Sequence, residues 1–550
     1  MKKIGLYISA LLLLSSGVLF AQGEMDAFRL SQTDLNGTAR TLSMGGAFGA
    51  LGGDMSAMSH NPAGIGIYRS SEIQTTISVN SSNVESNWTT KFNNVQVFEP
   101  GMANRILTKA GFDNLSYVGY FPTANDRGVK SWNFGIAYNK VKDFNRSYRA
   151  IGIPQFSMAD YVASCASNAY GDNGGISEND LILTDSYDPY NNRALNGQWL
   201  SILGYESGFF GAKYDYSDVY HSAYGYWRGN TWTPISPDNT ELRFAESGSI
   251  NDYNFTVATN ISDFLFLGMN LGITTIDYRM SSWHHEKFGE TDYLTLGNSL
   301  ETTGTGYSIN LGAIIRPVDQ LRIGVAYNSP KMYVMTDHFD GFGESYIADE
   351  TDPLMKGYLP EYSYAEYSFQ SPGRWIFSVA GIIGNRALLS LDYEMTNYNY
   401  MFLSDRDFDR GAYQSDNDII KEDFKVGQTL KAGAEIKITP RFALRGGYIW
   451  QPSPMKDHLI NGAEVFTAGT IPHYTVSNCT NYYTAGLGFR FTPNFYMDLA
   501  FVYRLQKEKL YPFSNMDWNY PEYHLTPVRS DPADISVKTT RVALTLGYKF

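Results

Sequence analysis

Arg541-Val542-Ala543-Leu544-Thr545-Leu546-Gly547-Tyr548-Lys549-Phe550 closes the chain. Val542, Leu544, Leu546, Tyr548 and Phe550 share one parity, and Arg541, Ala543, Thr545, Gly547 and Lys549 share the other. Successive strand side chains point to opposite faces, so this segment has one greasy face and one polar or small face. Moving outward, Phe495, Met497, Leu499, Phe501, Tyr503 and Leu505 alternate with Asp498, Arg504 and Gln506. Leu430, Ala432, Ala434, Ile436 and Ile438 alternate with Lys431, Glu435 and Lys437. A soluble sandwich alternates too, but with short strands. Many segments here run about ten residues or more, the length of a tilted membrane strand.

The pattern predicts strands at 72–80, 115–123, 131–142, 248–260, 264–280, 303–315, 321–336, 374–383, 387–399, 424–438, 441–451, 479–491, 495–508 and 537–550. Every second connection is short: 124–130, 260–263, 316–320, 384–386, Thr439-Pro440 and 492–494. The others, 143–247 and 281–302 among them, are long and rich in Asp, Asn, Tyr and Gly. Short turns on one side and long loops on the other are the mark of an outer-membrane barrel. The expected fold is therefore all-β, a membrane-spanning antiparallel up-and-down β-barrel of about 14 strands over residues 72–550. Closure removes the sheet edges that a bilayer could not satisfy.

Composition agrees. Aromatic residues make up 15%, with 41 Tyr and 51 Gly. Tyr suits the membrane–water interface. A mean hydropathy of −0.28 fits a barrel, because only alternate residues need to face lipid. The net charge of −13 argues against a nucleic-acid surface. Two cysteines, Cys165 and Cys479, are too few for a disulfide scaffold and are expected as free or singly paired loop thiols. Lys2 and Lys3, an apolar stretch from 4 to 20, and Ala21-Gln22 give residues 1–21 the layout of a secretory signal peptide.

Residues 22–71 do not alternate. Ser43-Met44-Gly45-Gly46-Ala47-Phe48-Gly49-Ala50-Leu51-Gly52-Gly53-Asp54 is small and Gly-rich, able to approach other backbone closely. Asp54 is placed to cap a short helix from Met55 to His60, and Asn61-Pro62-Ala63-Gly64 reads as a turn. A flexible arm is one reading; a compact plug in a narrow lumen is the other. Gly45 to Asp54, followed by Ser56 and Asn61-Pro62-Ala63-Gly64, resembles the hatch of the FadL-type outer-membrane transporters of long-chain fatty acids and other hydrophobic compounds. Residues 428–454, 321–330 and 371–399 resemble barrel hairpins of that family.

The resemblance implies an N-terminal hatch inside the lumen and passive uptake of a hydrophobic small molecule. Asp54, Asn61, Pro62, Ala63 and Gly64 would form the gate, and the solute would leave sideways beside a kinked third strand. Gly135 is the expected kink, because strand glycine often marks a bend. It also implies a monomer in outer-membrane lipid and lipopolysaccharide, with the aromatic Phe550 addressing the barrel assembly machinery. No nucleophile elbow, P-loop, His-Glu-x-x-His or Cys ligand cluster points to an enzyme, a metal or a cofactor. His221, His284, His285, His338, His458, His473 and His524 fall in expected external loops. They support a second reading, a haem or metal-complex receptor, with His284-His285 as ligands. A third reading is a structural barrel whose plug never opens.

Overall fold

A computed structural model describes the chain except residues 1–22, 90, 93–94, 97–100, 168–173, 184–198, 213–217, 230, 349, 361–362, 385, 461–470 and 517–526. The expected signal peptide lies outside the described residues. Among the described residues fourteen antiparallel strands close into a barrel. They are β1 (Glu72–Trp88), β2 (Gly101–Pro122), β3 (Val129–Asp143), β4 (Asn239–Ile261), β5 (Leu265–Phe288) and β6 (Asp292–Val318). β7 is Leu321–Asn328 continued by Met332–Tyr346, and β8 is Ser363–Gln370 continued by Arg374–Ile383. β9 (Ala387–Asn397), β10 (Val426–Lys437), β11 (Phe442–Pro452), β12 (Tyr474–Arg490), β13 (Phe495–Tyr511) and β14 (Ala533–Lys549) complete the wall. Closure is the pairing of β1 with β14, from Glu72 opposite Lys549 to Asn87 opposite Asp534.

The short turns fall where the sequence puts them. The β4–β5 turn carries positive φ at Ser262 and Asp263, the backbone of a type I′ hairpin without its usual glycine. Asp263 is held there by Asn260, which accepts from its N–H (2.9 Å) and donates to its carboxylate (2.7 Å), and by Lys130 (2.8 Å). Phe550 lies exposed on the same rim, its N–H donating to the Ser71 carbonyl at 3.0 Å.

The opposite ends depart from expectation. Residues 281–302 are not a loop: β5 and β6 run on to a tight turn at 289–291, and β4 begins at Asn239 rather than near 248. β7 breaks at Ser329-Pro330 and continues to Tyr346. The extra length has a reversed polarity. On β5 the outward residues Leu267, Met269 and Leu271 are exposed and apolar, while Asn270 and Thr274 point in. Above Ile273 the outward positions become Asp277, Arg279 and Ser281, and the buried ones Ile276, Tyr278 and Met280. The lower half is thus a barrel for lipid and the upper half a barrel for water, with its own apolar core.

Helices from the long connections fill that core. α4 (Met158–Ser167) and α5 (Trp199–Glu206) bury nearly every side chain against Phe339, Leu294 and Leu296 of the wall. The Glu286 carboxylate of β5 accepts from the Met158 N–H (3.0 Å) and the Ser157 hydroxyl at the start of α4, fixing helix to wall. Cys165 is buried in α4 and Cys479 lies on β12; both are free.

Candidate functional site

The segment 23–71 lies within the barrel, folded as α1 (Glu24–Ser31), α2 (Ala39–Ser43), α3 (Ala57–His60) and a 3-10 turn from Pro62 to Ile67. Its Gly-rich run is pressed against the wall, which is cut away to receive it. A Cβ on Gly447 would stand 2.4 Å from the Gly45 nitrogen, and one on Gly312 would stand 2.0 Å from the Asn61 Oδ1. Gly52 takes a φ of +56°, and a side chain there would strike the Gly64 carbonyl at 2.8 Å. Sequence reading found the hatch glycines. Their partners in the wall resemble any strand glycine until the register aligns them.

Asn61 joins three parts. Its Oδ1 accepts from the Ala63 N–H at 3.2 Å, closing the turn. Its Nδ2 donates to the Gly49 carbonyl at 2.6 Å and to the Ala313 carbonyl of β6 at 3.3 Å. Pro62 and Ala63 are buried, with Pro62 against Gly268 of β5. The Gly64 carbonyl accepts from the Gly53 N–H at 3.0 Å. Asp54 is not the helix cap expected of it. It accepts from the Thr38 hydroxyl at 2.7 Å and from the Ser56 N–H at 2.9 Å, tying the two arms of the hatch. The structure therefore brings Asp54, Asn61, Pro62, Ala63 and Gly64 into one knot.

A charged cluster missed in the sequence locks hatch to wall. Arg40 of α2 pairs with Glu435 of β10 at 3.0 Å, and Glu435 also takes Arg445 of β11 at 2.7 Å. Arg445 reaches Asp498 of β13 as well. Above it Asp34 meets Arg504 at 3.1 Å and Lys142 at 3.5 Å.

No register break falls at Gly135. The β3 ladder runs unbroken past it, opposite Thr256 and Val118, and its missing Cβ makes room for Met58 and Ile65 of the hatch. The irregularities fall higher, where Val141 on β3 and Asp113 on β2 each bulge out of register. There the β2–β3 ladder stops, its last pair Asn114 opposite Asn139. Beyond it β2 is hydrogen-bonded to β1 alone until the strand Arg146–Gly152 comes beside it, with the Ile151 carbonyl against Gly101, so the wall has a slot confined to the level of Lys109 and Asp113. Side chains cross the slot: Lys109 of β2 reaches Asn145, and Lys140 of β3 points toward Gly111.

The slot faces a cavity of about 160 Å³ walled on one side by the hatch itself. Its lining includes Leu107, Lys109, Asp113 and Lys140 from the slot, and Met25, Phe28, Leu35 and Phe144 as an apolar side. Arg29, Lys142, Arg146, Arg504 and Arg541 give it more cations than carboxylates. A second cavity of about 110 Å³ shares Asp34 and Leu35 with it and is lined by His60, Lys431 and Glu394.

The histidines do not converge. His284 and His285 lie on β5, not in a loop, and as strand neighbours they face opposite sides of the wall. His284 is buried against Glu286 at 2.8 Å, and His285 stacks on Trp283 outside. His338 lies on β7, while His524 falls outside the described residues. Among the described residues no group of three or more His, Cys, Asp or Glu is arranged to hold a metal ion.

Solved structures that align with the chain include a FadL homologue of Pseudomonas aeruginosa, with 13% identity over 94% of this chain and 99% of that one and a TM-score of 0.49. The toluene transporter TodX of P. putida aligns with 11% identity over 94% and 99%, also at 0.49. The CymD monoaromatic hydrocarbon channel aligns with 10% identity over 94% and 99%, at 0.46. No curated protein matches by sequence. The family model described as outer membrane protein transport protein (OMPP1/FadL/TodX) matches residues 245–550, more than half of the chain. The chain belongs to the FadL/TodX family of outer-membrane transport proteins.

Proposed function

We propose that this protein takes up hydrophobic solutes carrying an acidic head, such as long-chain fatty acids, by passive passage gated at Asn61-Pro62-Ala63-Gly64. The observation that carries the reading is the cavity beside the hatch, which pairs an apolar side (Met25, Phe28, Leu35) with an excess of Lys and Arg and reaches the slot between β2 and β3. The deeper cations already hold carboxylates of the protein, as Lys142 and Arg504 hold Asp34, Arg146 holds Glu508 and Arg541 holds Asp113, whereas the Lys109 and Lys140 ammoniums stand at the slot, where a neutral hydrocarbon has no use for them. A carboxylate gains charge-assisted hydrogen bonds from them, while its tail gains roughly 0.8 kcal/mol per buried CH₂.

A lateral exit suits such a solute. The slot lies above Trp132, Phe134 and Ile136, which face lipid on β3. A tail leaving there enters hydrocarbon while its head stays at the wet boundary beside Lys109 and Lys140. No covalent step or motor is required; the gradient into the membrane drives transfer.

Uptake of radiolabelled oleate and of toluene by cells expressing the protein tests this. Asn61→Ala and Pro62→Gly should leave the folded barrel intact on heat-modifiable gels and alter oleate uptake. Lys109→Ala with Lys140→Ala should lower oleate uptake more than toluene uptake. Equal loss of both probes in the lysine variant would refute the acidic-head reading. Uptake of every hydrophobic probe no better than in cells lacking the protein would refute transport itself.

A further inference from the structure

The outward face of the extracellular wall carries a platform that neither the lipid nor the hatch explains. In one row across the sheet Arg149 stands opposite Arg243, Arg243 opposite Trp283, Trp283 opposite Gly297, Gly297 opposite Phe342, and Phe342 opposite Tyr358. The Arg243 guanidinium lies 4.4 Å from the centre of the Trp283 ring. Phe342 lies flat across Gly297, where a Cβ would meet its ring at 2.1 Å. A second line of rings runs beside the first. Trp283 stacks on His285 at 5.0 Å, His285 meets Tyr293 at 5.7 Å, and Tyr293 stacks on Tyr346 at 5.9 Å.

These side chains are held in place before anything binds. The Tyr293 hydroxyl donates to Glu344 at 2.7 Å, and His285 Nδ1 lies 2.8 Å from the Thr295 hydroxyl. Tyr358 and Phe342 are open to the outside, at 60% and 36% exposure, while Trp283, His285, Tyr293 and Tyr346 are half-buried beside them. Such contiguous exposed aromatic area on a stable wall marks a binding face.

Height and charge decide the occupant. The last lipid-facing apolar residue of β5 is Ile273, and Asp277 and Arg279 stand above it. At about 3.3 Å per residue and a tilt near 45°, Trp283 lies roughly 20 Å above the hydrocarbon. Acyl chains do not reach that level; the saccharide of outer-leaflet lipopolysaccharide occupies it. In a chain of net charge −13, this face gathers Arg149, Arg243, Lys287 and Lys356 against Glu241, Glu344 and Asp340. A positive face in an acidic protein is complementary to an anionic glycan.

We propose that this platform binds the phosphorylated or acidic core sugars of lipopolysaccharide. The apolar faces of sugar rings stack on Trp283, Phe342 and Tyr358, and Arg243 with Arg149 holds phosphate or carboxylate in the fork geometry that arginine offers. The protein is thereby seated in the glycan layer by its wall.

Isothermal titration of the full chain in detergent with deacylated, phosphorylated core oligosaccharide tests the proposal, with neutral maltoheptaose as the companion probe. The core oligosaccharide should bind saturably and more tightly than maltoheptaose. Trp283→Ala with Phe342→Ala should weaken it about tenfold, the loss expected of hot-spot aromatics. Arg149→Gln with Arg243→Gln should erase its advantage over maltoheptaose. Folding is checked by heat-modifiable migration; if the aromatic pair fails to fold, the exposed Tyr358→Ala replaces it. Absence of binding to folded wild type, or unchanged binding in the folded variants, overturns the proposal. A concentration-dependent dimer abolished by the same variants would assign the face to a second copy and overturn it as well.

Discussion

Glu435 is the residue on which the hatch and the wall most depend. It accepts from Arg40 of the hatch and Arg445 of β11 at once. Glu435→Gln leaves the Arg40 guanidinium without its anion and Arg445 with Asp498 alone, at a cost of about 3–5 kcal/mol. Arg40→Met leaves Glu435 still paired with Arg445 and should cost clearly less. Thermal melts followed by heat-modifiable migration rank the two; the reverse order would show that the cluster does not hold the hatch. Gly312 gives a second test. A methyl there invades Asn61, so Gly312→Ala should cost about 1–3 kcal/mol of overpacking and loosen the hatch. Trypsin should then cut within 25–66 while the barrel stays folded; a segment as resistant as wild type would contradict this. Sequence reading named Asn61 and the Gly-rich run because their chemistry is local: a turn residue, a proline, small side chains. It placed Glu435 in the lumen but could not name its partners Arg40 and Arg445, or Gly312, whose meaning lies in which strand stands beside which. Gly135 misled for the same reason, since a strand glycine can equally mark a bend or a seat for Met58.

At the level of elements, the lipid-facing halves were legible and the upper halves were not. Leu499, Phe501, Leu544 and Leu546 lie on the outer face and Arg504, Lys431, Glu435 and Arg541 on the inner one, as alternation required. Leu499→Arg should cost about 2–4 kcal/mol near the bilayer midplane, measured by urea titration in lipid vesicles. A cost near zero would move β13 out of the membrane register. Residues 281–302 hid their strands because the polarity flips just before and within them. Met280 and Phe288 point in with His284 and Glu286, while Trp283 and His285 point out with Arg279 and Lys287. Neither parity is purely apolar, so no period stands out. The helices inside this half carry a pH signature. Burial pushes the Asp160 carboxyl of α4 up to about 7, and that of Asp416 in α6 (Gln414–Asp423) up to about 8. Unfolded Asp titrates near 3.9, so folding binds these protons more tightly. Their contribution is complete at low pH and lost as pH rises from about 4 through the folded values. Hydrogen-exchange protection should fall between about pH 4 and 7 in α4 and between about pH 4 and 8 in α6. Asp160→Asn should flatten the response of α4 and leave that of α6; a parallel response in both would reject the assignment.

On the scale of the whole molecule, the end of the β2–β3 ladder at Asn114 and Asn139 lies between a lipid-facing lower barrel and a packed upper one, and it is the side door proposed above. Lys109→Cys with Asn145→Cys, in a Cys479→Ser background, should form a disulfide across that door. Oleate uptake should fall under oxidising conditions and recover on reduction, and uptake indifferent to the bond would place the exit elsewhere. The reversal of polarity at Ile273 also gives the molecule a fixed draught. Raising it lifts Leu267, Met269 and Leu271 out of oil; lowering it pushes Asp277 and Arg279 under, at about 2–4 kcal/mol for a buried Arg. The bilayer must therefore trim itself to the protein, thinning or thickening around it, and the door keeps its station at the waterline in whatever membrane the barrel floats.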